Sequence, residues 1–398
     1  MEQPTRSPER EQLLAVVDEI APTLRDNAQL GEQERRLPQP SVEALRDANL
    51  FRCPSPKAVG GLEVDPLTQV EVFEAVAAID GAAGWNLMIG ALSAAMIATR
   101  IGDSAIGQVF GASRWPIVAG LVWPRGRAVP TDGGYRVSGR WSFGSGIHQA
   151  DWVMGGSFVI EGGKPRANPD GSPRLHMVVM PRDRATLHDN WHVAGLRGTG
   201  SCDYSVEDVD VPDEFVYGTP SSPRRGGPWA GLPGMFVVGT GHAGFALGIA
   251  KGVLRELEQT VAASSRSMTQ SSIGDRESFQ LALGRHTIAY DAARTLALDA
   301  HRDVWETACH GEEPSQGQVS RMRISGVYAT EVAVEIAQFA YRAAGTAGLY
   351  ESSPIQRALR DVLAGQQHIY YRDTAYADVA KARIAAASTP PEAPAAAG

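Results

Sequence analysis

The apolar residues change period twice along the chain, and that ordering constrains the fold more than any single motif. Up to about residue 115 the spacing is helical: Leu13, Val16, Val17, Ile20 and Leu24 recur on one face. Ser41 reads as the cap of a second helix, with Glu43 in its first turn, and Asp65 as the cap of a third. Residues 82–101 continue as helix, packed through small side chains. From Ile117 the period falls to two. The run Thr131-Asp132-Gly133-Gly134 is a hairpin turn. After it Tyr135, Val137, Gly139, Trp141 and Phe143 take one face, and Arg136, Ser138, Arg140 and Ser142 the other. Further strands are expected at 151–160, 175–180 and 204–212. Beyond a polar loop at 220–228 the helical period returns with Ala246, Ala250, Val253, Leu257 and Val261. Long helical runs follow at about 279–309, 319–344 and 355–387, and four long helices imply a bundle. The reading is a mainly α protein with a central β-domain. It has an N-terminal helical domain (1–115), a middle β-domain (116–225), a C-terminal four-helix bundle (226–390) and a disordered tail (391–398) rich in Pro and Ala.

Composition removes several classes. A net charge of -8 argues against nucleic-acid binding. Cys53, Cys202 and Cys309 are far apart, match no zinc spacing and suggest no disulfide scaffold, as in a reducing cytoplasm. The polar, charged start is unlike a secretion signal. Two uncharged stretches, 81–99 and 226–250, are long enough to span a bilayer. Both are rich in Gly, Ala and Ser, and the second holds Pro228 and Pro233, so buried segments of a soluble protein are expected and no membrane. His188 and His192 are four apart but lack the glutamate of a zinc protease, and no metal site is expected.

Residues 237–244, VVGTGHAG, carry the G-x-G-x-x-G spacing of a dinucleotide-binding loop. That mechanism needs a second strand after the helix and an acid at its end. The next expected element is another helix, and Glu256 and Glu258 lie on helix. The glycines are therefore read as a close-packing surface of the first bundle helix.

The order of helices, small β-domain and helix bundle resembles the acyl-CoA dehydrogenase fold, with its β-barrel-like middle domain, over roughly residues 10–385. Within it four segments resemble the two-component (group D) flavin-dependent monooxygenase branch. They are DGAAGWNLMIG (80–90), GGYRVSGRWSFGSGIHQADWV (133–153), WHVAGLRGTGSCDYSVEDVDVP (191–212) and QRALRDVLAGQQH (356–368). An isoalloxazine ring needs flat walls and fixed polar groups along its edge. The resemblance places Trp141, Ser142, Phe143 and Ser145 beside the flavin. It makes Trp191, Arg197 and Thr199 a second cofactor cluster, with Arg197 suited to a phosphate. Arg276 resembles the arginine that reaches a cofactor phosphate across a subunit boundary. His368 is the implied catalytic residue, a general base facing the flavin. Trp85, Ser93 and His148 are expected to line the substrate pocket. His242 is expected to serve packing or the pocket mouth.

Two departures bear on the activity. The glutamate that takes a thioester α-proton in one dehydrogenase class would stand eight residues before Arg360, which is Ser352, with Glu351 its neighbour. The usual Glu-Gly-Thr after the Arg-Asp pair is replaced by GQQHIYY. Within the oxygenase branch, Ser93 stands where many members carry a histidine. The resemblance then implies an oxygenase fed with reduced flavin (FMN or FAD) by a separate reductase. It would use O2 to hydroxylate or oxidise a small aromatic or heterocyclic substrate by way of a flavin C4a-hydroperoxide. A homo-oligomer, a tetramer, and a cytoplasmic location are implied. The alternatives are an FAD dehydrogenase of the same fold and a non-enzymatic flavin-fold scaffold.

Overall fold

The computed structural model describes residues 7–232, 234–264, 273–371 and 374–388. The expected tail at 391–398 lies outside them.

The N-terminal helices are α1 (Pro8–Glu34), α2 (Gln39–Asp47), α3 (Pro66–Ala77), α4 (Gly81–Arg100) and α5 (Asp103–Phe110). Asp65 caps α3 by accepting from Thr68 N at 3.0 Å, and Asp80 caps α4 at Ala83 N. Ser41 is no cap. α2 starts two residues earlier, because Pro38 is extended and Pro40 has the φ of a first helical turn. α4 is long and apolar enough to cross a membrane by length and composition. Here 89% of its most apolar stretch is buried by neighbouring elements.

The strands are β1 (Val118–Thr131), β2 (Gly134–Trp141), β3 (Trp152–Glu161), β4 (Lys164–Pro165), β5 (Leu175–Pro181), β6 (Thr186–His188), β7 (Asp203–Pro212) and β8 (Val216–Thr219). Seven make one sheet in the order β6-β7-β2-β1-β3-β5-β8, with β4 paired to β3 alone. Among the described strands only β1 and β3 pair in parallel. The Asp132-Gly133 turn sets the β1–β2 register, with Thr131 opposite Gly134 and Gly126 opposite Gly139. β2 ends at Trp141, so the alternation stops there. Phe143 lies beyond the strand in the left-handed region, at φ 62°.

The C-terminal helices are α6 (Gly234–Ser264), α7 (Glu277–Cys309), α8 (Gln316–Ala344), α9 (Pro354–Gly365) and α10 (Thr374–Ser388). Residues 237–244 lie wholly within α6, and among the described residues no strand leads directly into that helix. A methyl group at Gly244 would meet Phe73 and the Val70 carbonyl, and one at Gly248 would meet the Glu74 carbonyl and Ala77. The glycines let α3 and α6 touch backbone to backbone, as the packing reading required. Buried charge ties the same region together: Arg294 of α7 bridges Glu71 and Glu74 of α3. The run expected as one helix over 355–387 is broken. α9 stops at Gly365, and Tyr370 and Tyr371 turn inward as a buried pair.

Candidate functional site

Phe143 is 62% exposed while its backbone is held at positive φ, a conformation costly for a bulky side chain. Its ring meets Trp191 edge-on, with centroids 6.3 Å apart. Two turns fix it from beneath. Gly144 N donates to the Cys202 carbonyl at 3.1 Å, and Gly146 N to the Thr199 carbonyl at 2.9 Å.

Between these turns lies a line of buried hydroxyls whose direction can be counted. Thr199 Oγ1 donates to the Leu196 carbonyl at 2.7 Å, so its lone pairs face Ser201. Ser201 must then donate to Thr199, and Ser145 to Ser201, each over 2.7 Å. Ser145 in turn accepts from the indole Nε1 of Trp85 at 3.1 Å. Every proton points the same way, from α4 toward Leu196. The Leu196 carbonyl is also served by Trp191 Nε1 at 3.0 Å. Thr199 can therefore turn its proton to a ligand without leaving that carbonyl unpaired. Ser201 is the member of this line that the sequence reading did not single out. It sat within the quoted GTGS run, but no spacing rule separates it from an ordinary turn serine.

Trp85 joins this line to the helix bundle. Its ring lies edge-on to Phe245 at 5.0 Å, His242 at 5.5 Å and His368 at 6.0 Å. His368 stands in the break after α9, not on a helix. Gly365 makes this approach possible, since a methyl group there would meet the rings of Phe245 and Trp85. Burial pushes the His368 imidazole down to about 4, with no charged neighbour contributing. Its Nδ1 accepts from the Tyr370 backbone N–H at 3.3 Å, so the neutral ring carries its proton on Nε2. His242, from α6, faces it with centroids 4.3 Å apart. It is fully buried, and its Nδ1 lies 2.9 Å from the Tyr371 hydroxyl. Burial and the neighbouring His368 hold His242 well below the usual imidazole range. No local pattern marks this pairing, because the two histidines stand 126 positions apart.

Several expected site residues stand elsewhere. Trp141 is a core residue, not a wall of the site. It is fully buried, stacks on Tyr204 at 5.4 Å, donates to the Gly156 carbonyl at 2.8 Å and fills the slot left by Gly126, Gly139 and Gly155. Ser142 turns the other way and hydrogen-bonds Asp203. His148 contacts Cys202 Sγ at 3.4 Å and lines a separate hollow of about 380 Å³ with Arg36, Leu37 and Gln149. Ser93 is buried on α4, eight residues beyond Trp85 and so roughly 12 Å further along the axis. Arg276 is exposed at the start of α7, where its carbonyl accepts from Phe279 N and Gln280 N. Glu351 is exposed and lines a hollow of about 290 Å³ with Arg197, Arg360 and Gln29, so it is not beside Trp85 and His368. Arg197 Nε is buried there without a partner. Among the described residues no group of three or more His, Cys, Asp or Glu could hold a metal. The cysteines are free.

These features fit a flavin: an aromatic ring held exposed, a buried hydroxyl line with one releasable proton, and an unpaired arginine nitrogen for an anion. The comparisons agree. The acyl-CoA dehydrogenase N-terminal domain matches residues 7–108 and the acyl-CoA dehydrogenase C-terminal domain residues 240–373, together more than half the chain. The indole-3-acetate monooxygenase of Pseudomonas putida is 29% identical over 355 residues, 89% of each chain. The flavin-dependent monooxygenase oxygenase subunit HsaA of Mycobacterium tuberculosis is 29% identical over 369 residues, 89% of this chain and 91% of its own. The crystal structure of 3-HSA hydroxylase from Rhodococcus sp. RHA1 superposes with a TM-score of 0.84 at 26% identity, covering 94% of this chain and 97% of that one. The chain belongs to the acyl-CoA dehydrogenase superfamily, and the relatives that it matches within it are flavin-dependent monooxygenases.

Proposed function

We propose that this chain is the oxygenase component of a two-component system, taking reduced flavin from a separate reductase and inserting one oxygen atom into a neutral, planar aromatic or heterocyclic substrate. The observation that carries it is the position of Trp85, which donates its Nε1 to Ser145 of the hydroxyl line and lies edge-on to His368 with ring centroids 6.0 Å apart. Flavin and substrate sites would therefore adjoin. When bound, reduced flavin supplies the electrons that let molecular oxygen be divided between product and water. The chain's own residues do the rest. Phe143 and Trp191 give flat walls to the ring, Thr199 and Ser145 meet its polar edge, and Arg197 takes a cofactor phosphate. Arg276 of a neighbouring subunit takes a second anionic contact. Apolar residues exposed on α7 and α10, namely Leu281, Ile288 and Ile384, support a homo-oligomer, which we take to be a tetramer. A cytoplasmic location fits the free thiols.

The proton inventory changes the part given to His368. A base whose conjugate acid lies near 4 has little driving force to take a phenolic proton. Protonation would also cost the Tyr370 contact at Nδ1. His368 acts instead as a neutral donor through Nε2, orienting the substrate's oxygen or nitrogen and stabilising charge that develops on it. No charged side chain shifts His368, and its ring neighbours are Trp85, His242 and Tyr371. Such surroundings favour an uncharged substrate over a carboxylate.

The test supplies the protein with reduced FMN or reduced FAD, then 18O2 with phenol-like and indole-like substrates. Product carrying one labelled oxygen, formed only with reduced flavin, is expected. Anaerobic reduction of bound oxidised FAD by a substrate, with no labelled product, would replace this reading with a dehydrogenase.

A further inference from the structure

Three successive residues of the loop before Thr199 are each gripped by the Arg360–Asp361 pair of α9. Arg360 Nη1 donates to the Ala194 carbonyl at 2.6 Å. Gly195 lies flat on the Arg360 carbonyl, so closely that a methyl group there would overlap it. Leu196 N donates to Asp361 Oδ1 at 2.6 Å. Leu196 is the left-handed residue, at φ 54°, whose carbonyl receives both Thr199 Oγ1 and Trp191 Nε1. Arg360 is itself aimed by Gln356 on its own helix and by Glu32 of α1, at 2.6 and 2.7 Å. One turn past Asp361 the same helix seats Gly365 against Trp85, and the chain then delivers His368.

We propose that Arg360 and Asp361 are positioning residues. They hold the backbone of 194–196 and thereby fix the Thr199 hydroxyl and the Trp191 indole relative to His368. α9 is then a rigid spacer between the two halves of the site, with about 6 Å of helix from the clamp to Gly365. The proposal rests on the flavin oxygenase reading for its consequence in catalysis, though the clamp itself does not. A buried carboxylate needs a reason to sit among Glu32, Asp80 and Arg357, and burial with the two acids raises Asp361 to about 7. Holding one amide of the site loop supplies that reason.

The experiment compares Asp361→Ala, Asp361→Asn and Arg360→Met by amide hydrogen exchange of residues 190–200 without flavin, by the affinity for reduced FMN and reduced FAD, and by product formed per reduced flavin oxidised. The alanine variant is expected to lose protection at Leu196, to bind reduced flavin at least tenfold more weakly and to waste more of it. The asparagine variant keeps an acceptor for Leu196 N and is expected to stay within about threefold of the parent. Parent-like exchange and binding in Asp361→Ala, or equal damage in both Asp361 variants, would overturn the proposal. If Asp361→Ala fails to fold, Arg360→Met decides: its unfolding midpoint should hold while exchange rises at 194–196, and unchanged exchange overturns the clamp. If the parent binds no reduced flavin, the functional reading falls, and the exchange data still judge the clamp.

Discussion

The loop that we propose faces the flavin and the break that carries His368 solve the burial of polar atoms in different ways. Around Ser145, Ser201 and Thr199 every hydroxyl proton has an acceptor, and the line ends on a carbonyl with two donors. Around His368 the polar atoms are thinly served: His368 Nδ1 and His242 Nδ1 have one partner each. Both histidines are pushed far below their usual range, and the Tyr370 hydroxyl is buried with no partner, wedged against Gly239 and Gly326. The first region is built to hold a ligand's edge in a fixed place. The second sets no charged group against His368 and surrounds its ring with Trp85, His242 and Tyr371, which strengthens any hydrogen bond that a substrate makes there.

The largest effect should come from what supports the loop. Trp141→Ala is expected to lose about 3–5 kcal/mol of unfolding free energy, because a fully buried indole leaves a cavity that three glycines cannot refill. Denaturant titration checks it. A loss under about 1 kcal/mol would return Trp141 to the list of surface walls.

Acid should expose the thinly served region next. His368 has a folded value near 4 and an unfolded value near 6.5, so between them the unfolded chain binds more protons. Its contribution is complete above about pH 6.5 and is lost as pH falls toward 4, by about 3 kcal/mol. His301, buried with its ring at about 4, follows the same sign. Asp361, raised to about 7, has the opposite sign and weakens the fold as pH rises from 4 to 7. The stability of the parent relative to His368→Gln should therefore fall by up to about 3 kcal/mol as pH falls from 7 to 4.

Turnover separates donor from base. His368→Ala should lower product formation by about 10²-fold while reduced flavin still binds, and His368→Gln, which keeps an N–H, should recover most of it. Equal damage in both variants would favour a proton acceptor. A smaller effect is expected at Thr199→Val, with flavin held about tenfold more weakly and the Leu196 carbonyl still served by Trp191. Smallest is Phe143→Gly. Relief of the positive φ should stabilise the fold by up to about 1 kcal/mol while flavin affinity falls, a trade that marks strain kept for function.

The sequence showed the larger plan because periods of 3.6 and two are local. The cap at Asp65, the Asp132-Gly133 turn and the glycine face of α6 all follow from neighbours along the chain. Within RWSFGSG, spacing placed Trp141 and Phe143 on one face, but the strand ends at Trp141. One ring goes into the core and the other, two residues on, into the open. The end of α9 was missed because helical spacing persists across it, while Gly365 and the buried tyrosines settle the break through contacts with α4, α6 and α8. His242 facing His368, and Asp361 beneath Leu196, are contacts between distant segments that no single-chain period encodes.

The most direct test of the contrast is the 15N resonance pair of His368, followed from pH 8 to 4 in protein labelled at histidine. A neutral ring with its proton on Nε2 is expected down to about pH 4, where it titrates. Titration near 6.5, or a proton resident on Nδ1, would contradict it and restore His368 as an ordinary base.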